Sequence, residues 1–280
     1  MTDYELKKIE DSFRQKGWFT FKLEDPRPLL HARQSLTEEL RRAAKIPSLT
    51  LENYHESFPQ DRLHTQMQLH LTEYFRKNHY GPEVIRANQD LFHRLIGRDI
   101  NVQSHPYLRI VRPLKPQDNV GFHRDTFYGG SPYELSVWMP LADVEASAAL
   151  SVVSGSHVCP ESDFPTTQMP NPDPEVTKGS PKSKLGFLYA PKIIHPSKLK
   201  DAVPVPLKAG EILVFSLSLT HGSTENRSAV SRWSTDVRVV NALASFDLSS
   251  RPDYYEPLCR SVVTEMAHEY LRVNFKNPVS

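Results

Sequence analysis

Two cysteines are all the 280-residue chain holds, Cys159 and Cys259, in unrelated contexts. That is too few for a disulfide scaffold, and neither belongs to a Cys-x-x-Cys pair. A reducing cytoplasm is the expected setting. The first residues, Met1-Thr-Asp-Tyr-Glu-Leu-Lys-Lys, lack an apolar signal core. No run approaches the roughly 18 apolar residues of a membrane span, so no membrane partner is expected. Formal net charge is only +1, which gives no polyanion-binding surface and argues against nucleic acid as a partner. Internal repeats and low-complexity linkers are missing too, and no domain boundary stands out.

What is present fits one globular domain over residues 1–280, with 39% hydrophobic and 24% charged residues. Residues 1–100 read as mainly helical support. A first helix is expected over 3–16, then a short strand at Gly17-Trp-Phe-Thr-Phe-Lys. Leu63, Met67, Leu71, Tyr74 and Phe75 recur at helical spacing. So do Val84, Ile85, Leu91, Phe92, Leu95 and Ile96, between Pro82 and Gly97. The texture changes near residue 101. Tyr107–Arg112, Gly121–Tyr128, Leu135–Pro140, Ala149–Val153, Glu211–Phe215 and Trp233–Val240 read as strands separated by Gly and Pro turns. The fold class is therefore mainly β with flanking helices, a sandwich or barrel of jelly-roll type over about 101–245. Residues 158–203 break the rhythm with Pro160, Pro165, Pro170, Pro172, Pro174, Pro181, Pro191 and Pro196. Such a segment is a lid or a disordered insertion, and its apolar Phe187-Leu-Tyr-Ala is expected over the barrel mouth. Near 253–275, Tyr255, Leu258, Val262, Val263, Met266, Tyr270 and Leu271 read as an amphipathic helix backing the sheet.

The chemistry lies in two short motifs. His123 and Asp125 flank Arg124 in Gly-Phe-His-Arg-Asp, and a distant strand ends in Thr-His221-Gly-Ser223. Residues two apart on a strand share a face, so His123 and Asp125 reach one ion while Arg124 points away, and His221 supplies the third ligand. Two imidazoles and a carboxylate suit iron(II) and leave the opposite side open for a cosubstrate and dioxygen; no thiolate favours zinc. Arg232, farther along, has the fork that clamps a carboxylate; Arg227 is the rival guanidinium.

Around these motifs the sequence resembles the phytanoyl-CoA dioxygenase-like branch of the iron(II)/2-oxoglutarate-dependent oxygenases. The likeness runs over about residues 101–245. It begins at Gly121-Phe-His-Arg-Asp and continues through Ser136-Val-Trp-Met-Pro-Leu-Ala-Asp-Val. Ala149-Leu-Ser-Val-Val-Ser-Gly-Ser-His157 is similar to the family's Leu-x-Val-x-Pro-Gly-Ser-His. Leu207-Lys-Ala-Gly-Glu-Ile-Leu-Val-Phe, followed by Thr-His221-Gly-Ser-Thr-Glu-Asn-Arg-Ser, is similar to its second metal motif. Ser147-Ala-Ala and Ser154 depart from the family's usual turn residues. The resemblance implies a cupin-like double-stranded β-helix, with iron on His123, Asp125 and His221. It implies that Arg232 pairs with the distal carboxylate of 2-oxoglutarate, with Ser223 assisting.

Other residues have two readings each. Trp138 is a cosubstrate contact or core. Tyr107 and Arg109 share a strand face, and Arg109 binds 2-oxoglutarate or substrate, or faces solvent. Arg124, Phe127 and Tyr128 stand at the pocket rim as substrate contacts, or Arg124 is solvated. His157 is read as structural and His195 as a surface residue. The expected activity is a dioxygenase needing Fe(II), 2-oxoglutarate and O2, hydroxylating a C–H bond of a small polar metabolite or a natural-product or sugar intermediate. Desaturation and alcohol oxidation stay open, as do a non-catalytic binding protein and the oligomeric state. A hydrolase or isomerase with the same three ligands would have no use for Arg232.

Overall fold

A computed structural model describes residues 1–167, 180–186, 192–194, 196–245, 251 and 253–275, apart from the Tyr128, Lys182 and Pro196 side chains. Phe187–Ala190 and His195 lie outside these residues.

The N-terminal support is helical: α1 (Asp3–Lys16), α2 (Arg27–Ala44), α3 (Tyr54–Ser57), α4 (Asp61–Lys77), α5 (Tyr80–Ala87) and α6 (Gln89–Ile96), with strand β1 (Trp18–Lys22) after α1. Thr2 and Glu5 form a capping box that starts α1, and Gly17, at φ 81°, ends it. The 18-residue α2 has no counterpart in the sequence reading. Its Leu29, Ala32, Leu36 and Leu40 form one buried stripe behind the prolines that open it. The segment expected as one helix between Pro82 and Gly97 is two. Asn88 breaks it, donating to the Val84 and Asp25 carbonyls and accepting the Asp25 N–H.

The β core consists of β2 (Ile100–Gln103), β3 (Tyr107–Val111), β4 (Leu135–Pro140), β5 (Leu150–Val152), β6 (Val203–Pro204), β7 (Glu211–Ser216), β8 (His221–Ser223), β9 (Arg232–Asn241) and β10 (Tyr255–Cys259). The large sheet runs β1-β7-β4-β9-β2-β10, and β3 also pairs with β9; the small sheet is β6-β5-β8. All the pairings are antiparallel. The ten residues of β9 are long enough for its far edge to take both β3 and β2. The two sheets do not close into a barrel. Short helices α7 (Pro181–Lys184) and α8 (Pro196–Leu199) fall in the proline-rich segment.

Alternation sorts the strands' side chains into two layers. Val137, Met139, Ile212, Val214, Trp233, Val237 and Val239 face the helices and pack with Leu36, Leu40, Phe75 and Phe92. Trp138, Leu213 and Phe215 face inward and pack with Leu150, Val152 and Val205 of the small-sheet side. The inner layer is where the site forms.

Two expected elements differ. Gly121–Tyr128 is not a strand. His123 makes an isolated bridge with His221, and a 3-10 turn follows from Asp125 to Tyr128. The Asp125 and Thr126 N–H groups both donate to the Leu217 carbonyl, which curls the chain out of any ladder. At the C-terminus, the stretch from Tyr255 is strand β10, paired with β2. Only α9 (Val262–Asn274) is helix, and it does not back the sheet. Val262, Val263, Met266, Tyr270 and Val273 are exposed, because the sheet's outer face is already covered by α2, α4, α5 and α6 side chains.

Candidate metal centre

His123 and His221 form a reciprocal backbone bridge, with N–H to carbonyl distances of 2.9 and 3.0 Å. Directly paired residues project to the same side of a ladder, and the rings lie 4.4 Å apart. Gly222 permits this approach: a Cβ there would stand 2.7 Å from the Phe122 Cα. The 3-10 turn brings Asp125 to the same place that an extended strand would have. His123, Asp125 and His221, all buried, offer ligand atoms within 4.8 Å of one another.

The tautomers are set by the backbone. Nδ1 of His123 bonds the Gly121 carbonyl at 2.7 Å, and Nδ1 of His221 bonds the Leu219 carbonyl at 3.0 Å. A carbonyl only accepts, so each Nδ1 carries the proton and each Nε2 presents a lone pair. His123 Nε2 is 3.5 Å from Asp125 Oδ1, and His221 Nε2 is 4.0 Å from Oδ2. Burial, then the neighbouring His123, push the His221 imidazole down to about 4. Burial works against the Asp125 charge, but Arg238, His221 and His123 hold the carboxyl well below the usual range. Two imidazoles tethered through Nδ1 and a buried carboxylate converge on one point. That donor set fits a ferrous ion.

These residues line a cavity of about 240 Å³ between the two sheets. Arg232 enters it from the start of β9 and is 5% exposed. Its Nη1 donates to the Ala148 carbonyl at 2.9 Å and its Nη2 to Ser223 Oγ at 3.1 Å. Its Nε has no partner, and among the described residues no carboxylate pairs with it. Burial and the nearby Arg109 push its guanidinium down to about 10. Arg227 instead pairs with Glu225, away from the cavity. Trp138 packs in the inner layer and also lines the cavity, with its ring 6.0 Å from the Arg232 Cζ.

Tyr107 and Arg109 also line the cavity. Arg109 donates to the Leu185 and Gly186 carbonyls, so the proline-rich segment reaches the pocket there. Arg124 does not stand at the rim. It is buried, donating to Thr220 Oγ1 and to the Cys159 and Ser156 carbonyls, with its Cζ 4.4 Å from the Phe164 ring. Phe127 packs beside Phe164 and Ile193 instead of lining the cavity. The Tyr128 backbone is in the 3-10 turn. His157 lies against Gly17. Several cavity residues went unread in the sequence: Gln103, Asp236, Arg238, Arg251 and Tyr254. For Asp236 and Arg238 the one available signal was the polar–apolar alternation of Arg232-Trp-Ser-Thr-Asp-Val-Arg238-Val, which marks a cavity-facing side but not their partners.

Residues 6–234 match the phytanoyl-CoA dioxygenase (PhyH) family. The chain belongs to that family. Its members use iron(II), 2-oxoglutarate and dioxygen, the cofactors expected from the motifs, and adopt the cupin-like double-stranded β-helix. A search of the curated proteins finds no match. Among solved structures, the non-heme monooxygenase ThoJ in its apo form aligns over 90% of this chain and 84% of its own, with TM-score 0.56 and 17% identity. The ThoJ–Ni complex aligns over the same shares, with TM-score 0.52 and 17% identity. EvdO2 from Micromonospora carbonacea var. aurantiaca aligns over 90% of this chain and 96% of its own, with TM-score 0.50 and 16% identity. At these identities the likeness is one of fold. Among the described residues, no helix is long and apolar enough to cross a membrane.

Proposed function

We propose that this PhyH-family oxygenase hydroxylates an unactivated C–H bond of a small polar metabolite. The reading rests above all on Arg232, a buried cation with no carboxylate partner, in the cavity that holds the triad. An unpaired buried charge is costly unless an anion completes it. A planar fork beside a hydroxyl suits a carboxylate.

His123, Asp125 and His221 would hold the iron. Arg232 and Ser223 would hold the distal carboxylate of 2-oxoglutarate. Iron and 2-oxoglutarate, when bound, supply dioxygen activation coupled to decarboxylation to succinate and carbon dioxide. The protein's own part is orientation and exclusion of water. Trp138, Leu150 and Phe215 give the cavity an apolar wall. Gln103, Asp236 and Tyr254 give the cavity polar groups for a hydroxylated or otherwise polar substrate. Asp125 also bears on the outcome, because related halogenases carry a small residue in its place. ThoJ, described as a non-heme monooxygenase, supports the same reaction class.

The test is succinate release by iron-loaded protein across a panel of polar metabolites, with and without oxygen. Oxygen-dependent succinate stimulated by one class of metabolite is expected, with coupling lost in Arg232→Ala. Succinate release that ignores oxygen, or survives Arg232→Ala intact, overturns the reading.

A further inference from the structure

Arg238 lies on the same face of β9 as Arg232, at the other end of the cavity. Its Nη2 donates to Asp125 Oδ2 at 2.7 Å. Its Nη1 donates to Ser136 Oγ at 2.5 Å on β4 and to Asp236 Oδ2 at 3.0 Å on β9. Its backbone N–H donates to Gln103 Oε1 of β2 at 3.1 Å. A guanidinium tied to this many points on neighbouring strands is fixed in place before any ligand arrives.

We propose that Arg238 is a positioning residue for the metal centre. By engaging Oδ2 of Asp125 it leaves Oδ1 to face an ion, and so makes the carboxylate a one-oxygen donor. The inference rests on the metal reading of the triad. A carboxylate on a short side chain offers a cation one oxygen or two. Two would fill a position that this type of site must leave for cosubstrate and dioxygen. The hydrogen bond to Oδ2 decides between them, and partners of this kind orient ligands and tune the metal.

Placing a guanidinium beside a dication site has an electrostatic cost, and Asp236 offsets it. Asp125, Arg238 and Asp236 form a minus–plus–minus row whose net charge still favours a cation. Asp236 thus keeps Arg238 from repelling the ion that Arg238 helps to seat.

The experiment uses cobalt(II) as the probe on the full chain, following affinity and visible d–d bands for wild type, Arg238→Met, Arg238→Lys and Asp236→Asn. Arg238→Met is expected to bind cobalt roughly 10- to 100-fold more weakly, with altered bands as the second oxygen enters. Arg238→Lys keeps a donor on Oδ2 and is expected to regain the wild-type bands and most of the affinity. Asp236→Asn is expected to weaken binding about tenfold. Wild-type affinity and bands in a folded Arg238→Met overturn the proposal. Should Arg238→Met not fold, wild-type affinity in Asp236→Asn together with altered bands in Arg238→Lys overturns it. A wild-type protein that binds no cobalt defeats the metal reading itself, which is a different result.

Discussion

The two arginines of β9 face the same cavity from the same strand, yet they are in opposite electrostatic states. Arg238 lies between Asp125 and Asp236. Burial lowers its affinity for its proton, but those carboxylates outweigh burial and push it above the usual arginine range. Arg232 has no such partner, and burial with Arg109 pulls it down to about 10. Two buried cations of one chemical type therefore do different work. The neutralised one belongs to the framework, and the other carries a charge that no carboxylate among the described residues meets. Fold stability and ligand binding should separate along the same line.

The largest expected effect is a difference in sign in the metal-free, cosubstrate-free protein. Arg238→Met leaves Asp125 and Asp236 without their shared cation and is expected to destabilise by about 3–5 kcal/mol. Arg232→Met removes a buried charge that nothing neutralises and is expected to match or exceed wild-type stability, by up to about 2 kcal/mol. Thermal or urea unfolding measures both. Equal losses in the two variants would break the comparison.

Arg232→Met should show its deficit on ligand addition. With metal present, 2-oxoglutarate affinity is expected to fall by roughly 100- to 1,000-fold, the range for losing one side of a buried charge-assisted contact. Calorimetric titration gives the number. A variant that binds 2-oxoglutarate as wild type does would show that Arg232 is not the anchor.

Neither arginine titrates in mild acid, so acid sensitivity there must come from elsewhere. His221 and His64 are the candidates. Burial holds each at about 4 in the fold, against 6.5 unperturbed. The unfolded chain then binds more protons between those values, so their stabilisation is complete above about pH 6.5 and is lost as pH falls towards 4. Asp125, held low in the fold, contributes stability that is lost only below its unfolded value of about 4. His64→Gln in the metal-free protein is expected to flatten the loss between pH 6.5 and 4 by on the order of 2–3 kcal/mol. An unchanged slope would rule out His64 as a source.

How much of this the sequence disclosed varied with the range of the interaction. β4 was legible to the residue, because Leu135–Pro140 is apolar except for Ser136 and follows a Gly-Gly-Ser-Pro turn. The three residues that cluster were legible as residue types even though the strand drawn through His123 and Asp125 was not. A bridge and a 3-10 turn deliver His123 and Asp125 to one point as an ideal strand would. Arg238 was not legible, because its partner Asp125 lies 113 residues away and nothing local marks the pair. Arg124 was misread for a related reason: a charged residue beside a metal ligand suggests a rim, but distant carbonyls bury it. In α9, periodicity was read correctly as helix but not as burial. An apolar stripe records which side is greasy, not whether a surface remains free to receive it.

The smallest expected effect tests how closely the free arginine is tuned. Ser223 Oγ accepts from Arg232 Nη2 at 3.1 Å, while Ala148 holds Nη1 through its backbone. Ser223→Ala removes only the first contact. The guanidinium keeps its charge and its second tether, so the expected cost to 2-oxoglutarate binding is about 1 kcal/mol, near fivefold in affinity. Stability without ligand should change less, since the cavity is open to water on the pocket side. If Ser223→Ala equals Arg232→Met in its effect on 2-oxoglutarate, the hydroxyl is itself a principal anchor. The contrast drawn along β9 would then have to include the small sheet as well.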